Sequence, residues 1–308
     1  MRAVAVVGPT ATGKSALALA LARAFDGEVL ACDSTAVYRR IDIGTDKVPV
    51  NEQQGIPHHL VDVAAPTETY SAARFANDAA KAMREIASRG RLPILAGGTG
   101  FYYRALVRGL FPGPARDDEI RGRLERVANH HGVEFLHRWL TRVDPESGAR
   151  IQPRDLKRLV RALEVYLLTG RPMTAHFEAT ASPIAEFRLL TIGVRMPREL
   201  LRERVAQRVD QQFARGVVPE VRHLLAEGVP ASAHAFSGLV YRQVIEMLQG
   251  QRDESATRDL IVRENMRYAR RQLIWFRKEP NVRWLDGPGE LPAVIGQAIR
   301  AVEDFIAN

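Results

Sequence analysis

The chain opens with a short apolar run at 3–7 that stops at Gly8. An Ala- and Leu-rich segment at 13–25 follows, the order of a strand, a loop and a helix. A second apolar run at 28–32 and a weaker one at 60–63, after Pro57, predict two further strands. Ser71 precedes a helical pattern over 72–89 that Gly90 ends, which predicts a capped helix. Residues 92–96 give the next strand, which runs into Gly97-Gly98-Thr99-Gly100 and another helical stretch. Strands alternating with helices predict an α/β fold: a parallel sheet flanked by helices, with its ligand site beyond the carboxyl ends of the strands.

From 112 to 185 the pattern turns helical without strands, punctuated by Pro112, Pro114, Pro145, Pro153 and Pro172. A strand returns at 187–194, and Pro197 opens a long helix that reaches Arg215 before Gly216. Helices over about 217–227, 239–249 and 254–277, a strand at 282–285 and a last helix to about 306 complete the chain. Two domains are therefore expected: a core of 1–111 and 186–308 carrying the C-terminal helices, and an all-helical insertion of 112–185. The length of 308 residues and 46% hydrophobic content suit two such domains and exclude a disordered or low-complexity chain.

Charge adds a partner. Lys plus Arg at 44 against Asp plus Glu at 36 leaves +8, and all but five of those cations are arginine, the residue of forked phosphate contacts. Residues 1–70 carry six bases and eight acids whereas 258–283 carry eight bases and three acids, so a polyanion surface is expected to include the C-terminal segment. Arg154, Arg158 and Arg161 form one helical stripe. Arg263, Arg267, Arg270 and Arg277 form another, with Tyr268, Trp275 and Phe276 interleaved. Such stripes also arise on plainly solvated helices. The single Cys32 makes no internal disulfide and no Cys/His spacing suits structural zinc. With no signal-like or membrane-length apolar segment, a cytoplasmic location is expected.

Gly8-Pro9-Thr10-Ala11-Thr12-Gly13-Lys14-Ser15 matches G-x-x-x-x-G-K-[ST] and sits between a strand and a helix, as a P-loop NTPase-like phosphate cradle requires. Backbone N–H groups at the helix start hold phosphate oxygens, Lys14 neutralises them, and the Ser15 hydroxyl suits Mg²⁺. The cradle reads a diphosphate, not what is attached to it. Asp33 and Ser34 follow the second strand, so Asp33 is expected in the same crevice, as a metal ligand through water, a general base or a turn cap. Cys32 reads as a buried strand residue. Arg204 and Arg208 share a helix face and clamp a diphosphate if aimed inward. His58 and His59 are adjacent and face opposite ways on a strand, so the two are not expected to share a metal.

The segments GPTATGKS at 8–15, DSTAVYRRIDIGTDK at 33–47, PHHLVD at 57–62, GGTGFYYRAL at 97–106, RLVRALEVY at 158–166 and YARRQLIWFR at 268–277 together resemble the bacterial tRNA dimethylallyltransferases over nearly the whole chain. The resemblance implies transfer of a dimethylallyl group from dimethylallyl diphosphate to N6 of adenosine 37, flipped out of the anticodon loop of tRNA. It implies that Lys14, and Mg²⁺ on Ser15, stabilise the departing pyrophosphate with help from Thr12 and Arg204 or Arg208, while Asp33 accepts a hydrogen bond or proton from N6. Thr99 is implied beside the chemistry and in contact with tRNA. Arg121, residues 33–36 (Asp33, Ser34, Thr35, Ala36) and residues 157–161 (Lys157, Arg158, Leu159, Val160, Arg161) are implied tRNA contacts, and the C-terminal stripe adds Arg267, Arg270 and Arg271.

The chain departs from the family at Ala36 and Lys157, where Gln is usual, and at Val240, where Gly is usual. Ala36 offers no side-chain hydrogen bond to a base. A monomer is expected. A P-loop kinase of a small metabolite needs the same cradle and carboxylate but not the arginine stripes, and a non-catalytic RNA binder with a relic loop needs no Asp33.

Overall fold

A computed structural model describes residues 1–111 and 113–308; Pro112, expected as punctuation at the start of the insertion, lies outside the described residues. In chain order the elements are β1 (Arg2–Val7), α1 (Lys14–Ala24), β2 (Gly27–Cys32), β3 (His58–His59), α2 (Ala72–Ser88), β4 (Leu92–Gly97), α3 (Gly100–Arg108), α4 (Asp118–His131), α5 (Val133–Val143), α6 (Pro145–Arg150) and α7 (Leu156–Thr169). There follow β5 (Arg188–Arg195), α8 (Arg198–Ala214), α9 (Val217–Ala226), α10 (Leu239–Leu248), α11 (Glu254–Arg277), β6 (Val282–Asp286) and α12 (Pro292–Ala307). Short 3₁₀ turns lie at Val50–Glu52, Met173–Ala179 and His234–Ser237. The chain divides into two compact units, one of Met1–Val107 with Pro183–Asn308 and the other of Arg108–Ser182.

In the larger unit six strands pair in the order β3-β2-β4-β1-β5-β6, every pairing parallel. Strands buried on both faces need no alternation of polar and apolar residues, and residues 3–7 are all fully buried. Leu17, Ala18 and Leu21 of α1 and Val294, Ala298 and Val302 of α12 pack on Val4, Val6, Ile94, Ile192 and Val194 of the sheet. Each fully buried Val or Leu there is worth about 1.5–3 kcal/mol. The Ser71 side chain caps α2 by accepting from Arg74 N–H at 3.1 Å, as its place in the sequence predicts.

One expected strand is misplaced. The third strand is His58–His59, not residues 60–63. Leu60 and Asp62 sit at φ 63° and 59°, a left-handed backbone that cannot continue a strand. On β3, His59 reaches the buried Glu28 at 2.6 Å while His58 bonds Ile56 O at 2.9 Å.

The smaller unit is helical and has its own core: Leu124 and Ala128 of α4, Leu136 and Leu140 of α5, and Leu159, Val160 and Leu163 of α7. Asp117 and Asp155 cap α4 and α7, and Gly170 at φ 67° ends α7. Among the described residues no helix is long and apolar enough to cross a membrane.

Candidate active site

Register alone brings three loop starts together. Val7 pairs with Gly97, and Gly97 with Cys32, so Gly8, Gly98 and Asp33 leave the sheet at one level. At Gly98 a Cβ would lie 2.2 Å from Gln272 Nε2 and 3.1 Å from Gly8 O, so the two glycine loops close on each other only without a side chain there. Gln272 of α11 braces both, accepting from Thr10 N–H at 2.8 Å and donating to Gly98 O at 2.9 Å.

The phosphate loop runs from Gly8 to Ser15, with Ala11 at φ 61° and Gly13 at φ 81° turning the chain into α1. Among the described residues no protein acceptor takes the amides of Ala11, Thr12, Gly13, Lys14 and Ser15. Five unmatched N–H groups at a helix start are an anion site by geometry. Two expected diphosphate contacts are smaller than the sequence implies. Pro9 has no N–H to give, and its carbonyl instead accepts from Thr12 Oγ1 at 2.9 Å and Lys14 Nζ at 2.5 Å. Thr12 is fully buried with its hydroxyl engaged inside the loop, which leaves its unmatched amide as the group to meet a phosphate. Burial and the guanidinium of Arg208 push the Lys14 ammonium down to about 7, against a smaller upward pull from Asp33.

Arg204 and Arg208 point inward, as a clamp requires. Arg204 Nε donates to Ala11 O at 2.8 Å and its Nη1 meets Glu290 at 2.6 Å. Arg208 Nη1 donates to Thr10 Oγ1 at 2.9 Å, and its Nε is held by Asp46, which also accepts from Gln212. Glu290 reaches the loop because α12 is preceded by a tight strand-to-helix turn whose Gly289 N–H donates to Thr12 O at 2.8 Å.

Asp33 does two things at once. Its Oδ1 accepts from Thr35 N–H at 2.8 Å, Thr35 Oγ1 at 2.7 Å and Ala36 N–H at 3.2 Å, which is the turn cap weighed from sequence. Its Oδ2 accepts no hydrogen bond from the described residues, and Asp33 lines the crevice with Lys14, Ser15 and Arg208. Thr99 lies alongside, its Oγ1 accepting from Ser34 N–H at 3.2 Å and its own N–H reaching Cys32 O at 3.3 Å. Cys32 is buried, and burial pushes its thiol above the ordinary range.

Two chambers share Thr10, Asp33, Thr45, Arg208 and Tyr268. The smaller, of about 140 Å³, holds Lys14, Ser15 and Gly98. The larger, of about 270 Å³, is walled by Val205, Val209, Leu239, Val240 and Tyr241, with Ser34, Thr35 and Arg271 at its polar side. Ala36 faces the smaller chamber. Tyr268 belongs to this site rather than to the core: burial, and secondarily the Asp33 carboxylate, raise its phenol to about 12, while hydrogen bonding with Thr99 pulls the other way. From sequence Tyr268 is one of the aromatics interleaved in the C-terminal stripe and Gln272 has no role, although their i, i+4 spacing places both on one face of a basic helix.

Ser15, Asp33 and Asp46 give the smaller chamber hard oxygen donors, and the cradle amides add a seat for phosphate oxygens. That donor set fits Mg²⁺, which takes one or two protein oxygens plus phosphate and water.

The arginines expected on RNA divide into three groups. In the helical unit, Arg121 forks onto Glu164 at 2.7 and 2.9 Å, and Arg161 joins the same carboxylate at 2.7 Å and Pro114 O at 3.0 Å. Glu164 is fully buried. Burial alone would raise its pKa, and the bonds from Arg121 and Arg161 hold it at about 2 instead. Leu159 and Val160, expected among the tRNA contacts, are core residues of that unit, so neither side chain reaches RNA. Lys157 and Arg158 are exposed, Arg158 beside Asp155 at 3.4 Å. On α11, Arg271 lines the larger chamber, whereas Arg267 and Arg270 line a groove on the other side of the helix.

The family model for IPP transferase matches residues 36–279. A tRNA dimethylallyltransferase of Koribacter versatilis is 42% identical over 302 residues, 97% of each chain. One from Thermomicrobium roseum is 48% identical over 92% of this chain and 85% of its own. Among solved structures, the tRNA isopentenylpyrophosphate transferase of Bacillus halodurans superposes with TM-score 0.72 at 37% identity, covering 99% of this chain and 95% of that one. A eukaryotic dimethylallyltransferase acting on tRNA superposes with TM-score 0.84 at 25% identity, covering 100% and 80%.

Proposed function

This chain belongs to the IPP transferase family of tRNA dimethylallyltransferases, and from that premise we propose that it moves a dimethylallyl group from dimethylallyl diphosphate to N6 of adenosine 37 in the tRNA anticodon loop. The comparisons lend the small-metabolite kinase no support. In the proposed reaction the N6 lone pair forms a bond to C1 of the dimethylallyl group, and the C1–oxygen bond breaks. The electron pair leaves with pyrophosphate, and the N6 proton passes to Asp33 Oδ2.

Each part has a counterpart in the site. The unmatched amides of residues 11–15 and the Lys14 ammonium take the charge that develops on the leaving pyrophosphate. Arg208, held by Thr10 and Asp46, and Arg204, held by Ala11 and Glu290, add positive potential without a reorganisation cost. Ser15 is the residue that would hold Mg²⁺, which when bound would add further neutralisation of the diphosphate. The apolar wall of the larger chamber suits a dimethylallyl group, and the Tyr268 ring offers a flipped adenine a stacking face.

The observation that carries this reading is the position of Asp33: it lines the crevice shared with Lys14, with one carboxylate oxygen saturated by a turn and the other without a protein donor among the described residues. Single-turnover transfer by Asp33→Ala and Asp33→Asn, with tRNA affinity measured alongside, tests it. A loss of about two to four orders of magnitude in rate at near-native tRNA affinity is expected. An unchanged rate removes Asp33 from the reaction.

A further inference from the structure

α11 has two working faces. Tyr268, Arg271 and Gln272 look toward the reaction chambers. Arg263, Met266, Arg267, Ala269, Arg270 and Leu273 lie about half a helical turn away and line a separate groove of about 620 Å³ against the start of α8. The groove floor is apolar, and its back wall includes Pro9 of the phosphate loop. Its rim carries six guanidinium groups, from Arg195, Arg198, Arg202, Arg263, Arg267 and Arg270, and no carboxylate lines it.

Two of the six are partly neutralised from outside the groove. Arg195 meets Asp286 at 2.7 Å and Arg267 meets Glu264 at 2.6 Å. Among the described residues, Arg198, Arg202, Arg263 and Arg270 have no carboxylate partner, and all four are exposed. Elsewhere in the larger unit many exposed arginines are paired, as Arg40 is with Glu227, Arg84 with Glu186 and Arg89 with Glu28. Four unpaired like charges around one apolar floor repel one another unless a polyanion covers them.

We infer that this groove is a second RNA-backbone site, which binds phosphates of the tRNA outside the anticodon loop. The inference rests on the tRNA reading above. A nucleotide seated in the reaction chambers cannot also touch the opposite face of α11, so the groove takes a different stretch of the same substrate. Guanidinium forks suit phosphodiester oxygens, and the contacts are to backbone, so the site adds affinity without base preference.

The test compares full-length tRNA with a stem-loop of about 17 nucleotides carrying the anticodon loop, using the whole chain and its Arg198→Glu/Arg202→Glu and Arg263→Glu variants. Wild-type transfer to the stem-loop establishes the underlying reaction independently, and failure there overturns the function rather than the groove. The double variant is expected to bind full-length tRNA at least about tenfold more weakly. The slope of log affinity against log salt is expected to flatten by about two, and stem-loop affinity and transfer rate to stay within about twofold. Unchanged affinity for full-length tRNA overturns the inference and points the groove to another acidic partner. Equal losses for both RNAs also overturn it, because the groove would then act through the stem-loop or through folding; Arg198→Gln/Arg202→Gln separates those two causes.

Discussion

Arginine is used in opposite ways in the two units. Around the phosphate loop, Arg204 and Arg208 are oriented partly by neutral oxygens, Ala11 O and Thr10 Oγ1, and each meets its own carboxylate, Glu290 and Asp46 respectively. In the helical unit, Arg121 and Arg161 converge on one carboxylate that is fully buried and ionised down to about pH 2. The first pair keeps positive potential available to a ligand. The second pair spends its charge on holding α4 and α7 together, with Asp117 N–H as a third donor to Glu164 at 2.8 Å. Inward-pointing arginine is therefore not one signal but two, told apart by the acceptor it meets.

The largest expected effect comes from breaking the structural half of that contrast. Glu164→Ala strands two guanidinium groups that are largely shielded from water, and should cost about 3–5 kcal/mol of stability in the helical unit by chemical denaturation. Diphosphate binding by the larger unit should survive. Loss of diphosphate affinity at unchanged stability would mean that Glu164 serves the site and not the helices.

Next is the functional half. Lys14→Ala should reduce transfer by about 10² to 10³, or roughly 2.7–4 kcal/mol, since it removes the ammonium that the phosphate loop itself carries. Circular dichroism should show an unchanged fold. A loss of less than tenfold would assign the leaving-group charge to Arg204 and Arg208 instead.

A subtler effect follows from the Lys14 ammonium. Its folded pKa of about 7 lies below the ordinary lysine value, so between those two pH values the folded chain holds Lys14 neutral where the unfolded chain holds it charged, and stability rises with pH across that window. A bound diphosphate reverses the preference. Pyrophosphate binding at pH 8 should take up as much as about one proton at Lys14 beyond any uptake by the ligand itself, read by calorimetry in buffers of different ionisation enthalpy. Lys14→Arg, which does not titrate, should lack that share. Equal uptake by both proteins would place the proton elsewhere.

Much of the site was legible in the sequence because its parts are local. The glycine loop, its flanking strand and helix, and Asp33 at the end of the next strand are read from spacing, and parallel register then levels Gly8, Gly98 and Asp33 without any long-range knowledge. What escaped depends on partners far along the chain. The hold of Gln272 on Thr10 spans 262 residues, and Asp46 meets Arg208 across 162. The arginine stripe of 154, 158 and 161 was visible as a stripe, but periodicity does not say that Arg161 turns to Glu164 while Arg158 faces solvent. The same blindness merged Arg271 with Arg267 and Arg270, which lie on different faces of α11. The misplaced third strand has a local cause: the apolar run at 60–63 contains two left-handed residues that composition does not reveal.

The most direct test of the account is transfer of label from radiolabelled dimethylallyl diphosphate, with Mg²⁺, into unmodified tRNA carrying adenine at position 37, beside the same tRNA carrying guanine there and a parallel reaction supplied with ATP. Label confined to the adenine-37 tRNA, with no ATP consumed, is the expected result. Label in neither RNA, or ATP consumption without transfer, would contradict it.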